Sequence, residues 1–517
     1  PTAAQSTAAV HVATAFGALS MLLMAAGFAI QSSLSGGRMA NESTTALLAF
    51  AWSAVVAAGV VIANTDLIGA SPWFELPAIY YAILALMALP IFVNHLLTMA
   101  QNDSPATVSQ WFIVMGFAAF IWMGIHSMFL LSGENHTLSW LLVKVLFGGW
   151  LLSQALGVAH HVVPSKLGTP LWSRSLANLA LFGTFLTFTP FGAEAAVPEM
   201  GDFQRAIVSI LFSLSLLPII ATVVNLTKTA SGRVFESYGV KFTMFGTVML
   251  VPIGLGSLFA SVSAFGGLNE LGHISSTLDT LALWAIIGMI ALGGAHILFP
   301  EVSGRELFSS GKTKMAFWFA TIGIIGFGSS QFIADFVNNA IGATDVVLAL
   351  EEAGVSVAGA GEVQAFASIM FYGVVSAGLF TAQNMLQGSF RGAALSDGAP
   401  VPSSAPATMS ISGTTSIGAL LSAGAGVDTV LTIEGGSTEG RISLSDISPA
   451  SENDEAEDVA EESEEETEEE AVEEETSAVE IPANLSKMLK SELVELAKSV
   501  NKSSKGTKAD LIERLSA

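Results

Sequence analysis

A 517-residue chain with 51% apolar residues, only 12% charged ones and a mean hydropathy of +0.61 is too apolar for an ordinary water-soluble domain. Its formal net charge of -24 is segregated: the acidic run from Glu452 to Glu475 carries much of it, so the charge describes a solvated tail rather than the whole chain. With no cysteine, the sequence excludes disulfides, thiolate metal sites and CxxCH haem attachment.

Eleven apolar runs then follow in chain order: His11 to Gln31, Thr44 to Asn64, Phe74 to Met99, Val108 to Leu131, Leu138 to Val163, Leu176 to Phe191, Phe203 to Leu226, Val240 to Phe265, Thr277 to Phe299, Met315 to Val337 and Val363 to Met385. A span needs about 20 mostly apolar residues, because the hydrocarbon slab is roughly 30 Å thick and backbone polar groups inside it must bond within their own helix. The expected class is all-α, a polytopic transmembrane helix bundle over residues 1–391. Its short loops make sequence neighbours antiparallel partners. Glycines and alanines in GMIALGGAH and GIIGFGSS allow close helix approach where lipid offers no hydrophobic push. The chain opens at Pro1, close to a span and without a signal-peptide pattern, and reads as truncated or processed.

Lysine and arginine in alternate loops set the expected orientation. One set of loops holds Arg38, Lys166, Arg174, Lys228, Arg233, Lys241, Arg305, Lys312 and Lys314, with Arg391 after the last span, while the other holds essentially Arg205. The first set is expected on the cytoplasmic side of a cell membrane, with Pro1 outside and the C-terminal tail inside.

Residues 392–480 turn first to Ser, Gly, Ala, Thr and Pro and then to Glu, a composition that reads as a disordered tether. Helical periodicity returns in residues 481–517 through Leu485, Leu489, Leu493 and Leu496, then Leu511 and Leu515 after a polar turn. This small two-helix module resembles the SAP motif, a helix-loop-helix that often binds DNA. The resemblance implies phosphate contacts from Lys502, Lys505 and Lys508. The other reading is a small protein-interaction knob, since the acidic tether beside it would repel nucleic acid.

Within the bundle, VPSKLGTPLWS at Val163 to Ser173 resembles a loop of the C-type haem-copper oxidase catalytic subunit, related to cytochrome c oxidase subunit I. VPEMGDFQRAIVSILFSLSLLP at Val197, FWFATIGIIGFGSSQFIADF at Phe317 and IMFYGVVSAGLFTAQNML at Ile369 resemble later blocks of that family in the same order. Family members have twelve or more spans, so eleven suit a chain lacking the first. The resemblance implies a respiratory electron-transfer protein whose intact relatives reduce oxygen to water at haem and copper, with electrons from cytochrome c and coupled proton movement.

That chemistry uses six histidines in the family: two on a low-spin haem, one on a high-spin haem and three on copper. His11, in VHVATAFGALSM, resembles the low-spin haem ligand that begins a span, and a neutral imidazole there is a sensible iron ligand. The copper set departs from the pattern. Gapless counting from Val163 and Pro164 puts Lys144 at the first copper histidine. Counting from Arg174 puts Ala193 and Glu194 at the adjacent pair, and the tyrosine beside copper falls near Phe245. Copper is therefore not expected. Lys144 and Glu194 either pair as a buried salt bridge in the former copper pocket or reach the outer interface separately.

The family's HxH of the tenth span maps by counting from Pro300 onto Leu278 and Thr280, neither of which binds iron. A shift of about five residues, roughly 7.5 Å of helix, brings His273 into register as the second axial ligand with His11. At most one low-spin haem is then expected. The remaining histidines carry blander expectations: an interfacial role for His160 and His161, carbonyl bonding for His95, His126 and His296, and a loop position for His136. Asp335 is the other intramembrane carboxylate picked out from the sequence, with a proton path as its less favoured role.

Two functions compete. One is a divergent membrane subunit of the oxidase superfamily without its own oxygen-reducing centre, bound to other respiratory-complex subunits in the bilayer. The alternative is a non-redox membrane scaffold that displays the cytoplasmic SAP-like module to DNA or protein. A transporter ranks third, because no paired broken helices or internal repeat announce a substrate site.

Overall fold

The computed structural model describes residues 2–395 apart from 70, 72, 103–104, 133–135, 188–201, 262–274 and 337–359, and beyond them 409–411 and 431–433. The chain divides into two units, Pro1–Pro406 and Ala407–Ala517. In the second, the described residues are two three-residue strands, Met409–Ile411 and Leu431–Ile433, paired in parallel. The acidic run and the SAP-like module lie outside the described residues.

The first unit is a bundle of α-helices. In chain order these are α1 (Ala3–Leu34), α2 (Glu42–Ala63), α3 (Ala78–Ala100), α4 (Val108–Leu130), α5 (Leu138–Leu167), α6 (Arg174–Thr187), α7 (Asp202–Leu214), α8 (Leu216–Ala230), α9 (Tyr238–Ser261), α10 (Thr277–Ser303), α11 (Ser310–Phe336) and α12 (Ala360–Arg391). Among the described residues nine are long and apolar enough to cross a membrane; α6, α7 and α8 are shorter. The run expected from Phe203 to Leu226 is interrupted at Ser215. Pro218 explains the break, since it has no N–H to give the Leu214 carbonyl and fits best in a first helical turn. The span expected from Phe74 begins instead after Pro77, whose extended backbone forms the N-cap of α3. That leaves Phe74, Glu75 and Leu76 in the preceding loop.

Local signals place several ends. Thr2 with Gln5, and Thr107 with Gln110, form capping boxes at the starts of α1 and α4, and the Asn41 side chain accepts from Thr44 N–H at the start of α2. At the lysine- and arginine-rich end, Arg233 donates to the Leu167 carbonyl at 2.7 Å and forks onto Glu236, tying the end of α5 to the turn before α9.

Burial sorts the helices into an inner trio and an outer ring. In α5 and α10, 94% and 89% of the most apolar stretch is buried inside the protein, and in α1 61%, against 22–56% for the other spans. The three inner helices contact one another. Outer helices expose Phe50, Leu86, Phe182, Ile322 and Leu379. So much outward apolar surface suits lipid as solvent.

Each inner helix also widens into a π-helical stretch, Val12–Leu19 in α1, Val145–Leu152 in α5 and Ala282–Gly288 in α10. These are rare, and where they occur they frequently mark functional sites. Trp52 and Trp150 brace them: Trp52 Nε1 donates to the Phe16 carbonyl at 2.9 Å, and Trp150 Nε1 donates to Ser20 Oγ at 2.7 Å, joining α5 to α1.

The inner helices α5 and α10 share an internal repeat that the sequence reading passed over. Leu156, Gly157, Ala159, His160, Pro164 and Gly168 recur as Leu292, Gly293, Ala295, His296, Pro300 and Gly304. The structure gives both copies the same roles. Each histidine donates from Nδ1 to the carbonyl four residues back at 2.8 Å and stacks on a phenylalanine of the outer helix before it, Phe112 or Phe242. Gly168 and Gly304 close the helices with φ of 61° and 67°, a conformation that disfavours a side chain.

Gly157 and Gly293 sit where helices touch. A Cβ on Gly293 would lie 2.7 Å from the Gly239 carbonyl oxygen and 2.8 Å from Thr243 N, backbone atoms that cannot rotate away. Gly293→Ala is accordingly expected to cost about 1–3 kcal/mol by overpacking, seen as a lower thermal midpoint in detergent. Gly378→Ala, with nothing within 4 Å of the new Cβ, is the matched control and should not lower it.

Candidate functional site

The three π-helical stretches begin at residues that matter chemically. Their N-caps are His11 in α1, Lys144 in α5 and Leu281 in α10, with Asp279 two residues before the last. The stretch in α10 contacts both of the others, so these residues gather at one end of the inner trio.

Lys144 is fully buried, and Asp279 is buried at 6% exposure. Among the described residues, the carboxylate acting on the Lys144 ammonium is that of Asp279. Asp279 stands between Leu278 and Thr280. Sequence reading missed it, although a carboxylate inside an apolar span was the available signal. Glu194, the partner expected from sequence, lies outside the described residues, as does Ala193. Phe245 is half-buried against the core of α9 and offers no hydroxyl.

His11 is held from the loop before α3. Its Nδ1 lies 2.6 Å from Glu75 Oε1, and its ring stacks on Trp73 at 3.8 Å with an interplanar angle of 20°. Trp73 in turn meets Phe147 edge-on, at 4.9 Å, within the π-helical stretch of α5 that starts after Lys144. The proposed second axial ligand, His273, lies outside the described residues.

The other histidines depart from expectation in two ways. His160 is buried at 2% exposure rather than interfacial, because its packing on Phe112 places it between α4 and α5; His161 is half-buried beside it. His126 bonds the Trp122 carbonyl and His296 the Leu292 carbonyl, as expected, whereas His95 is sandwiched between Phe28 and Phe117 with neither ring nitrogen hydrogen-bonded. The side chains of His136 and Asp335 lie outside the described residues, and Lys502, Lys505 and Lys508 do as well.

The donor chemistry divides by metal. An ammonium has no lone pair for copper, and among the described residues no three His, Cys, Asp or Glu side chains come close enough together to hold a metal ion. A haem iron asks less of the chain, one imidazole nitrogen on each face, and His11 offers one: its Nδ1 is engaged by Glu75 and its Nε2 has no partner among the described residues.

No family model matches the chain. It is 23% identical over 347 residues to cytochrome c oxidase subunit 1 of Rhodobacter capsulatus, covering 60% of this chain and 62% of that protein. It is 21% identical over 268 residues to a cytochrome c oxidase subunit 1 homolog of Agrobacterium tumefaciens (strain T37), covering 48% of this chain and 49% of the relative. The matches thus span about half to three-fifths of the relatives' lengths. The chain is a multi-pass helical membrane protein distantly similar to cytochrome c oxidase subunit 1.

A lysine enclosed among apolar helices demands its counter-charge, and removing one partner of a buried pair costs about 3–5 kcal/mol. Lys144→Met and Asp279→Asn are each expected to destabilise the bundle on that scale, while the double variant loses much less than the sum. Thermal unfolding of the four proteins in detergent measures the coupling.

Proposed function

We propose that this chain is a divergent membrane subunit of the haem-copper oxidase superfamily that keeps one low-spin haem site and has no oxygen-reducing centre of its own. The observation that carries the reading is Lys144: a fully buried ammonium answered by Asp279, at the position where the resemblance places the first copper histidine. A cation there repels a copper ion and supplies no lone pair to it. Glu194 is the second anion of the same pocket in this reading.

His11, with His273 opposite, would hold the iron, and a bound haem would supply one-electron transfer. The chain's own residues set the conditions for it. Glu75 and Trp73 orient the imidazole. The basic loops face the cytoplasm in this reading, with Pro1 on the opposite side. Other respiratory subunits are the natural partners for a chain that carries electrons without consuming oxygen itself. The C-terminal module, with Lys502, Lys505 and Lys508, is then a cytoplasmic docking element for DNA or protein at the end of an acidic tether.

Iron and copper counted per purified chain, together with the reduced optical spectrum, test the assignment. About one iron with a reduced alpha band and no stoichiometric copper is expected. Copper at one per chain would overturn the reading of Lys144. A chain free of iron would favour the membrane scaffold instead.

A further inference from the structure

The segment Trp73 to Leu76 is built to hold one imidazole. Trp73 has φ of 68°, a left-handed conformation that is a real outlier for a bulky residue, and such strain persists only where surrounding contacts over-determine it. Those contacts are present. The Trp73 N–H donates to Glu75 Oε1 at 3.0 Å, Tyr81 Oη donates to the Trp73 carbonyl at 3.3 Å, and the Leu76 N–H donates to Tyr81 Oη at 3.1 Å. The same Glu75 oxygen meets His11 Nδ1 at 2.6 Å, and Glu75 is buried at 8% exposure.

A carboxylate oxygen accepts a hydrogen bond, so the geometry of this contact makes Nδ1 the donor. With Nδ1 as the donor, Nε2 is the ring position left for a metal, and among the described residues no group engages it. A carboxylate on the far nitrogen is the arrangement that fixes the tautomer of a metal-bound histidine and makes it a stronger donor.

We propose that Glu75 is the positioning residue for His11, holding it as the Nδ1–H tautomer so that Nε2 faces the haem iron, with the strained Trp73 clamping the ring plane. The proposal rests on the haem reading above and adds to it a residue outside the six family histidines. Glu75 touches no iron; it acts through His11.

The test uses the full chain in detergent, with Glu75→Gln, Glu75→Leu and His11→Ala beside the unaltered protein. Nitrogen-15 histidine NMR of the haem-free chain reads the tautomer directly. The Nδ1–H form is expected for His11, and Glu75→Leu should abolish that preference. An imidazolium or an Nε2–H ring at neutral pH in the unaltered chain overturns the proposal whether or not haem binds. In the haem-loaded chain, Glu75→Leu should weaken haem binding about tenfold or more. Glu75→Gln, which keeps an acceptor but loses the negative charge, should retain haem while the reduced-to-oxidised ratio at a fixed potential rises about tenfold, a 59 mV upward shift for one electron. Haem bound equally well, at unchanged potential, in all Glu75 variants overturns the positioning role and leaves the haem reading intact. No haem in the unaltered chain, with the expected tautomer still seen, overturns the haem reading and with it the assignment of Nε2 to iron.

Discussion

Burial of the Lys144 charge is the constraint on which the interior of this bundle depends. An ammonium with no exposure, on a helix that is itself almost wholly enclosed, has no water to solvate it. The Asp279 carboxylate on the neighbouring helix α10 acts on it electrostatically and opposes the cost of that burial. The pair therefore ties α5 to α10 by electrostatics at the same end where π-helical stretches loosen the regular backbone of both.

Around that pair the inner trio is organised by repetition. The Leu-Gly-x-Ala-His segments of α5 and α10 place a histidine against a phenylalanine of the preceding outer helix in each case, and both helices stop at a left-handed glycine. One copy of this arrangement is a packing detail. Two copies on adjacent inner helices are an architectural unit, in which small residues set helix separation and a carbonyl-bonded imidazole fills the space beside them. The lysine- and arginine-rich half of the trio is thus held by packing and local hydrogen bonds, while the opposite half carries His11, Lys144, Asp279 and the strained Trp73.

Much of the scaffold was legible from apolar runs, because a helix in lipid must satisfy its own backbone and so needs a continuous stretch of known length. The ends of α1, α4 and α5 also follow from Thr, Pro and Gly signals a few residues long. Where the reading failed, the cause was specific. Pro218 broke one expected run into α7 and α8, and Pro77 moved Glu75 out of a span into a loop. His160 looked interfacial from its position near a run's end, yet α4 covers it.

The candidate site shows the same division more sharply. Residue types alone determined that this is a membrane bundle, that no thiolate chemistry is open to it, and that a lysine stands within an apolar span. Only the tertiary structure decided that Asp279, 135 residues away, acts on Lys144, and that Glu75 closes on His11 from a different loop. Hydrophobic periodicity is a property of consecutive residues, so a linear sequence displays it. Charge compensation and hydrogen bonding act through space, and their partners are chosen by which helices the fold brings side by side.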